Sequence, residues 1–375
     1  MKSKMLAQNA LRFSKRLAPT AGQVPRAIGA FCVPASVDGR RSLRDSISGK
    51  ATWDGPKYAG YPQHVKHIGS MTKDQIQKII ELALKMKADP HAYTSALKNR
   101  TLLALFEKPS LRTRVSLETG MTQLGGHCIY YALADSPLGK KESIFDTAKV
   151  VSRYVDIVTA RVNTRQAVDE LIANASVPVI NALDDYGHPC QMLADILTIV
   201  EHRGSFEGMK LAFVGDCQNN MTYDLMRLGC VMGFDVTVAG PADKGFNVEW
   251  SVVKECEELM AKGTGGSFKI TNKRDEAVKD ADVVYCDSWM SYGIAAVERQ
   301  ERFKALSPYQ VDATAMKLAK PTALFMNCLP AVRGEEQTAE VLDGAQSVIY
   351  DQAENRMHAQ KALLVALVNG FDYKV

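Results

Sequence analysis

Residues 101–124 read TLLALFEKPSLRTRVSLETGMTQL. Leu102–Phe106 is a short apolar run, suited to a strand buried on both faces. Pro109 and Ser110 follow where a helix begins. Leu111–Leu124 then sets apolar or small residues on one face, as an amphipathic helix does. Strand, polar turn and helix in succession is the repeating unit of a parallel sheet.

The same unit recurs along the chain. Upstream, Thr72-Lys73-Asp74-Gln75 forms a capping box, and Ile76, Ile79, Ile80, Leu82, Leu84 and Met86 continue as a helix to about Ala88. Downstream, strands are expected at Ile129–Leu133, Asp156–Ala160, Val177–Asn181, Lys210–Val214, Asp235–Ala239, Ser267–Thr271, Asp282–Cys286, Ala323–Cys328 and Ser347–Tyr350. Helical stretches fall at 143–154, 166–173, 189–202, 221–231, 249–262 and 357–369. Most of the strands are continuous Val/Ile/Leu runs, so both sheet faces should be covered. A second strand series starts just after the helix 189–202, which places a domain boundary near residue 200. The predicted class is α/β, with two domains that are each a parallel β-sheet flanked by helices.

Length agrees with two domains: 375 residues exceed one ordinary domain. Charge is unevenly spread. Residues 1–50 hold ten of the 46 basic residues and two of the 42 acidic ones, so 51–375 carries 36 against 40, a net of −4. That mildly acidic body argues against a nucleic-acid partner. The start, MKSKMLAQNALRFSKRLAP, has no acid and mixes Lys and Arg with Leu6, Leu11, Phe13 and Leu17. It reads as a mitochondrial (matrix) import leader cleaved between about residues 25 and 50, or as a plain basic tail. No run of 18 apolar residues occurs, so no membrane insertion is expected. The eight cysteines form no C-x-x-C pair, which argues against a structural zinc site and fits a reduced compartment.

In open parallel sheets, ligands bind beyond the C-terminal strand ends. After Phe106, Ser110, Arg112 and Thr113 surround a helix N-terminus, whose free N–H groups and dipole favour an anion. Neither G-x-x-x-x-G-K-[ST] nor G-x-G-x-x-G is present, and Gly215–Asn219 lacks the later glycines, so a nucleotide cofactor is not supported. Arg161 ends the next strand. His188 and Gln191 flank Pro189 at a helix start. Asp287, Ser291 and Tyr292 follow another strand, then come Cys328-Leu329-Pro330 and Glu354-Asn355-Arg356. Singly, each fits an ordinary loop. Together, polar groups and three arginines at strand ends point to a site for an anionic small molecule.

SLRTR (110–114), HPCQ (188–191), DSWMSYG (287–293), NCLP (327–330) and ENR (354–356) resemble, in order and approximate spacing, the aspartate/ornithine carbamoyltransferase family. The likeness spans roughly 65–373, and DSWMSYG is nearer the ornithine branch. It implies a carbamoyl-phosphate-binding domain over 51–200, an ornithine-binding domain over 201–345, and a C-terminal strand and helix (346–375) packing back on the first domain. It implies a homotrimer with active sites at subunit interfaces, no metal and no cofactor. By position, Ser110, Leu111, Arg112, Thr113, Arg161, His188, Gln191, Cys328, Leu329 and Arg356 correspond to carbamoyl-phosphate contacts. Asn219, Asp287, Ser291 and Tyr292 correspond to ornithine contacts. Asp287, Cys328 and Arg112 correspond to catalytic groups, and Leu329–Pro330 to a cis peptide. The implied reaction moves the carbamoyl group to the δ-amine of ornithine, giving citrulline and phosphate.

Four positions depart from the ornithine-branch pattern. Leu111 stands for Thr, Asn327 for His, Tyr292 for Met, and Pro137 for a Gln or His that reaches a neighbouring subunit. Tyr292 leaves open another amine such as putrescine. Pro137 and Asn327 leave open a catalytically weak paralogue with a binding or structural role.

Overall fold

The computed structural model describes residues 64–133, 139–243, 245–291 and 294–373. The expected import leader at 1–50, and the departures Pro137 and Tyr292, lie outside the described residues.

Among the described residues, nine strands form two wholly parallel sheets. The first contains β1 (Thr101–Phe106), β2 (His127–Ala132), β3 (Ile157–Arg161) and β4 (Val179–Leu183) in the order β2-β1-β3-β4. The second contains β5 (Lys210–Val214), β6 (Asp235–Ala239), β7 (Ser267–Thr271), β8 (Val283–Tyr285) and β9 (Leu324–Met326) in the order β7-β6-β5-β8-β9. Parallel neighbours need crossovers, and helices such as Leu111–Gln123 and Asn220–Met232 supply them. Each order reverses once, between β1 and β3 and between β5 and β8. Those reversals are where a crevice opens at the strand C-termini.

Alternate residues of the central strands enter different cores, as two-sided covering requires. Leu102, Ala104 and Phe106 join the largest cluster, while Leu103 and Leu105 join a separate one. In β5, Leu211 and Phe213 join that same largest cluster, and Ala212 and Val214 enter a third. The helix Pro189–Arg203 lies within the shared cluster, with eleven consecutive residues from Pro189 to Ile199 buried. The strands β2 and β7 depart from the expectation. They are sheet edges, and Ile129 and Tyr131 of β2 and Ile270 of β7 remain exposed.

The expected strand Ser347–Tyr350 is not formed. Ser347 makes a single bridge to Phe325, and a helix runs from Ile349 to Asn369, absorbing the expected 357–369. The first turns of that helix bury Gln352, Asn355 and Arg356. A polar buried face gives no hydropathic period, so the helix start is invisible to apolar spacing. The helix packs against Lys73–Ala88, Leu111–Gln123 and Pro189–Arg203, all on the first-sheet side. The Leu329–Pro330 peptide is cis. Among the described residues, no helix is long and apolar enough to cross a membrane.

Candidate active site

The strand ends at the two reversals face one cleft of about 840 Å3. Its first wall begins where β1 ends. Ser110, in extended conformation, caps the helix Leu111–Gln123 by accepting the Thr113 N–H. The Ser110 hydroxyl donates to Thr113 Oγ1 at 3.0 Å. The N–H groups of the first turn and the guanidinium of Arg112 thus border the cleft. Leu111, 77% exposed, borders it too, so Leu in place of Thr removes a hydroxyl and leaves the backbone donor in place.

Two further arginines converge there. Arg161 is the last residue of β3 and is 4% exposed. Arg356 comes from the C-terminal helix. It donates to Gln191 Oε1 at 2.7 Å and to Thr113 Oγ1 at 3.4 Å, and its buried Nε has no partner. Burial lowers the Arg356 pKa below the usual guanidinium range. A buried cation with an unused donor on a cleft wall suits an anionic ligand.

His188 ends the loop after β4. Its backbone N–H donates to Asp224 Oδ2 at 2.7 Å, which fixes it against the helix Asn220–Met232. Gly187 permits the approach, since a Cβ there would lie 2.9 Å from that same oxygen. Burial, then Arg356 and Arg161, drive the imidazole pKa well below its ordinary value. His188 is therefore neutral and can donate one N–H without adding charge. An NMR titration is expected to show neutral His188 down through pH 6. An imidazolium signal at pH 6.5 would contradict this.

The opposite wall comes from the second sheet. Asp287 follows β8, and Cys328 follows β9. The Cys328 thiol donates to Asp287 Oδ1 at 3.1 Å. Burial, then Asp287, push the thiol pKa far up, so Cys328 is a neutral donor and not a thiolate. Burial likewise raises the Asp287 carboxyl. Asn219 caps Asn220–Met232 through Oδ1, accepting from Thr222 N–H at 2.8 Å. Its buried Nδ2 has no hydrogen-bond partner, and the residue lines the cleft. Ser291 borders the cleft, with its hydroxyl turned to the Ser288 carbonyl at 3.2 Å. Leu329, with φ +56°, completes this wall. Every site residue named from the sequence borders the cleft except Tyr292, which lies outside the described residues.

Asn327 does not line the cleft. It is fully buried, with Nδ2 donating to Gln337 Oε1 at 3.1 Å and Oδ1 accepting the Leu329 N–H at 2.8 Å. It therefore shapes the turn that carries Cys328. Sequence reasoning missed Lys108 and Asp216. Lys108 sits in the cleft between β1 and Ser110, its pKa lowered by burial and then by Arg161. Asp216, just after β5, forms a buried ion pair with Arg302, which also donates to the Trp289 carbonyl at 3.0 Å. Both follow strand ends, which was the available signal.

Comparison with known proteins agrees with this geometry. The carbamoyl-phosphate-binding domain model of aspartate/ornithine carbamoyltransferases matches residues 63–201, and the Asp/Orn-binding domain model matches 207–367. An ornithine carbamoyltransferase of Pyrococcus abyssi is 47% identical over 304 residues, spanning 80% of this chain and 93% of its own. Among solved structures, an ornithine carbamoyltransferase from Pyrococcus furiosus has a TM-score of 0.77 at 46% identity, covering 84% of this chain and 99% of that one. An ornithine transcarbamoylase from Giardia lamblia has a TM-score of 0.76, also at 46% identity, covering 83% and 99%.

Proposed function

The chain belongs to the aspartate/ornithine carbamoyltransferase family and is a carbamoyltransferase, and from that premise we propose that it carbamoylates the δ-amine of ornithine, giving citrulline and phosphate. The supporting observation is a single cleft lined by two chemically different groups of residues. Arg112, Arg161 and Arg356 come from the first-sheet side and the C-terminal helix, and the Asp287–Cys328 pair from loops of the second sheet. Residues 51–200 then hold carbamoyl phosphate, 201–345 hold ornithine, and 346–375 return to the first domain.

In this reading the phosphate lies at the N-terminus of Leu111–Gln123, against Ser110, Thr113, Arg112 and Arg356. Gln191 and Leu329 bracket the carbamoyl group. A δ-amine resembles that of lysine, with a pKa near ~10.4 in water, and must be neutral to attack. Burial beside arginines disfavours the ammonium form, while Asp287 and Cys328 orient the nitrogen. The amine nitrogen bonds to the carbamoyl carbon, and the C=O electron pair moves onto oxygen facing Arg161 and His188. Collapse breaks the bond to the phosphate oxygen. The proton shed by nitrogen ends on phosphate, so the products are citrulline and hydrogen phosphate. Orienting two bound substrates supplies much of the acceleration.

The free Nδ2 of Asn219 and the hydroxyl of Ser291 favour an acceptor with an α-carboxylate and α-amine over putrescine. We expect kcat/KM for ornithine to exceed that for putrescine by ~100-fold or more, with Asn219→Ala raising the KM for ornithine ~10-fold. Equal or better use of putrescine would overturn the reading.

The reading extends to a homotrimer. An apolar groove of about 270 Å3 lined by Leu103, Ile129, Tyr131 and Tyr154 lies on the first-sheet side, with Phe145 and Val150 also exposed on the helix Ile144–Val151. Such a patch suits subunit contact. Light scattering is expected to give about three times the chain mass of 41.2 kDa; a monomer mass would refute it. The mitochondrial-matrix address rests on the basic composition of 1–50 alone, outside both family models, and the Pyrococcus and Giardia relatives lend it no support. A reporter fused to 1–50 that stays in the cytosol would end it.

A further inference from the structure

Behind the cleft, and outside it, a buried polar hub joins three parts of the chain. Asp195, on the helix Pro189–Arg203, is fully buried and accepts three hydrogen bonds. Gln191 Nε2 and Gln352 Nε2 both reach Oδ1 at 2.8 Å, and the Tyr285 hydroxyl reaches Oδ2 at 3.1 Å. Gln191 in turn holds Arg356. Gln352, on the C-terminal helix, also donates to the Tyr285 oxygen at 2.9 Å. Its Oε1 accepts the Asn327 N–H at 3.0 Å.

The Gln352 amide thus spends both N–H donors and accepts one bond on its oxygen. Its orientation follows from its neighbours, because a carboxylate needs a donor and a backbone N–H needs an acceptor. Asn327 then holds the Leu329 N–H, and Cys328 lies between them, with its thiol on Asp287. We infer that Gln352 is a positioning residue, its one amide tying the turn that carries Cys328 and Leu329 to the carboxylate that orients Gln191 and, through it, Arg356. The inference rests on the carbamoyl-transfer reading and adds how the two groups of residues lining the cleft are held in register. Without the amide, a buried Asn327 N–H loses its acceptor and the turn loses its anchor. Gln191 keeps its own bond to Asp195, so the phosphate end is disturbed less.

The test uses Gln352→Met in the full chain, which keeps length and apolar volume but removes all three bonds. Alkylation of Cys328 by iodoacetamide at pH 8 is read by mass spectrometry against half-buried Cys128 as internal reference. Cys328 alkylation is expected to rise ~10-fold relative to Cys128. With carbamoyl phosphate and ornithine, kcat is expected to fall ~10- to 100-fold while the KM for carbamoyl phosphate rises no more than ~3-fold. An unchanged Cys328/Cys128 ratio, a rise shared by Cys128, or an unchanged kcat overturns the inference. If Gln352→Met does not fold, Gln352→Glu decides: it keeps the acceptor for Asn327 but sets a second carboxylate against Asp195, a repulsion absent from the Met variant that displaces the carboxylate holding Gln191. Cys328 should then stay protected while the KM for carbamoyl phosphate rises ~10-fold, and a parental KM overturns the inference. Should the parent carbamoylate no amine, the ornithine reading fails by itself and the alkylation ratio alone decides this one.

Discussion

Arg112→Ala is expected to lower kcat ~10²- to 10³-fold, the usual effect of removing one donor aimed at charge that grows in the transition state. As the bond to phosphate breaks, charge accumulates on the leaving group, and Arg112 stands at the first turn of the helix capped by Ser110. The loss is not total, because the helix N-terminus and Arg356 remain as donors. Cys217→Ala is the control. Cys217 is buried in the apolar core in the loop after β5, with its thiol 3.8 Å from the Gly215 carbonyl. It should leave kcat within ~2-fold of the parent. Steady-state rates at saturating substrate check both, and equal losses in the two variants would refute the site assignment.

Asp287→Asn is expected to cost more, ~10³-fold in kcat, with the KM for carbamoyl phosphate nearly unchanged. The substitution keeps shape and leaves an oxygen to accept the Cys328 thiol, so the turn after β9 survives. In the proposed reading it removes the carboxylate placed beside the incoming nitrogen. Carbamoyl phosphate, in that proposed reading, is held on the other wall, where Ser110, Thr113 and Arg356 are tied together independently of Asp287. A variant that loses affinity for carbamoyl phosphate but keeps its kcat would place Asp287 on the wrong substrate.

Much of this architecture was legible locally. The runs Lys210–Val214, Asp235–Ala239 and Ser267–Thr271 are strands at the bounds read from hydropathy. Ser110, Arg161, His188 and Asp287 could be singled out because each follows a strand, and parallel sheets gather those ends. What was not legible depends on distant partners. Asp195 meets Gln352 across 157 residues, and Asp216 meets Arg302 across 86. No local pattern marks such pairs. The start of the C-terminal helix was missed for a related reason: its buried face is polar, made of Gln352, Asn355 and Arg356. Asn327 shows the converse. Its departure from the family pattern suggested a lost cleft group, yet its side chain lies behind the cleft and holds the turn that carries Cys328 and Leu329.

Carbon-13 NMR of the purified chain with 13C-carbamoyl phosphate and ornithine follows the proposed transfer within one cleft. The label is expected to move into the ureido carbon on the δ-nitrogen, with one phosphate released for each citrulline formed. Label appearing only as bicarbonate, or on putrescine but not on ornithine, would contradict it.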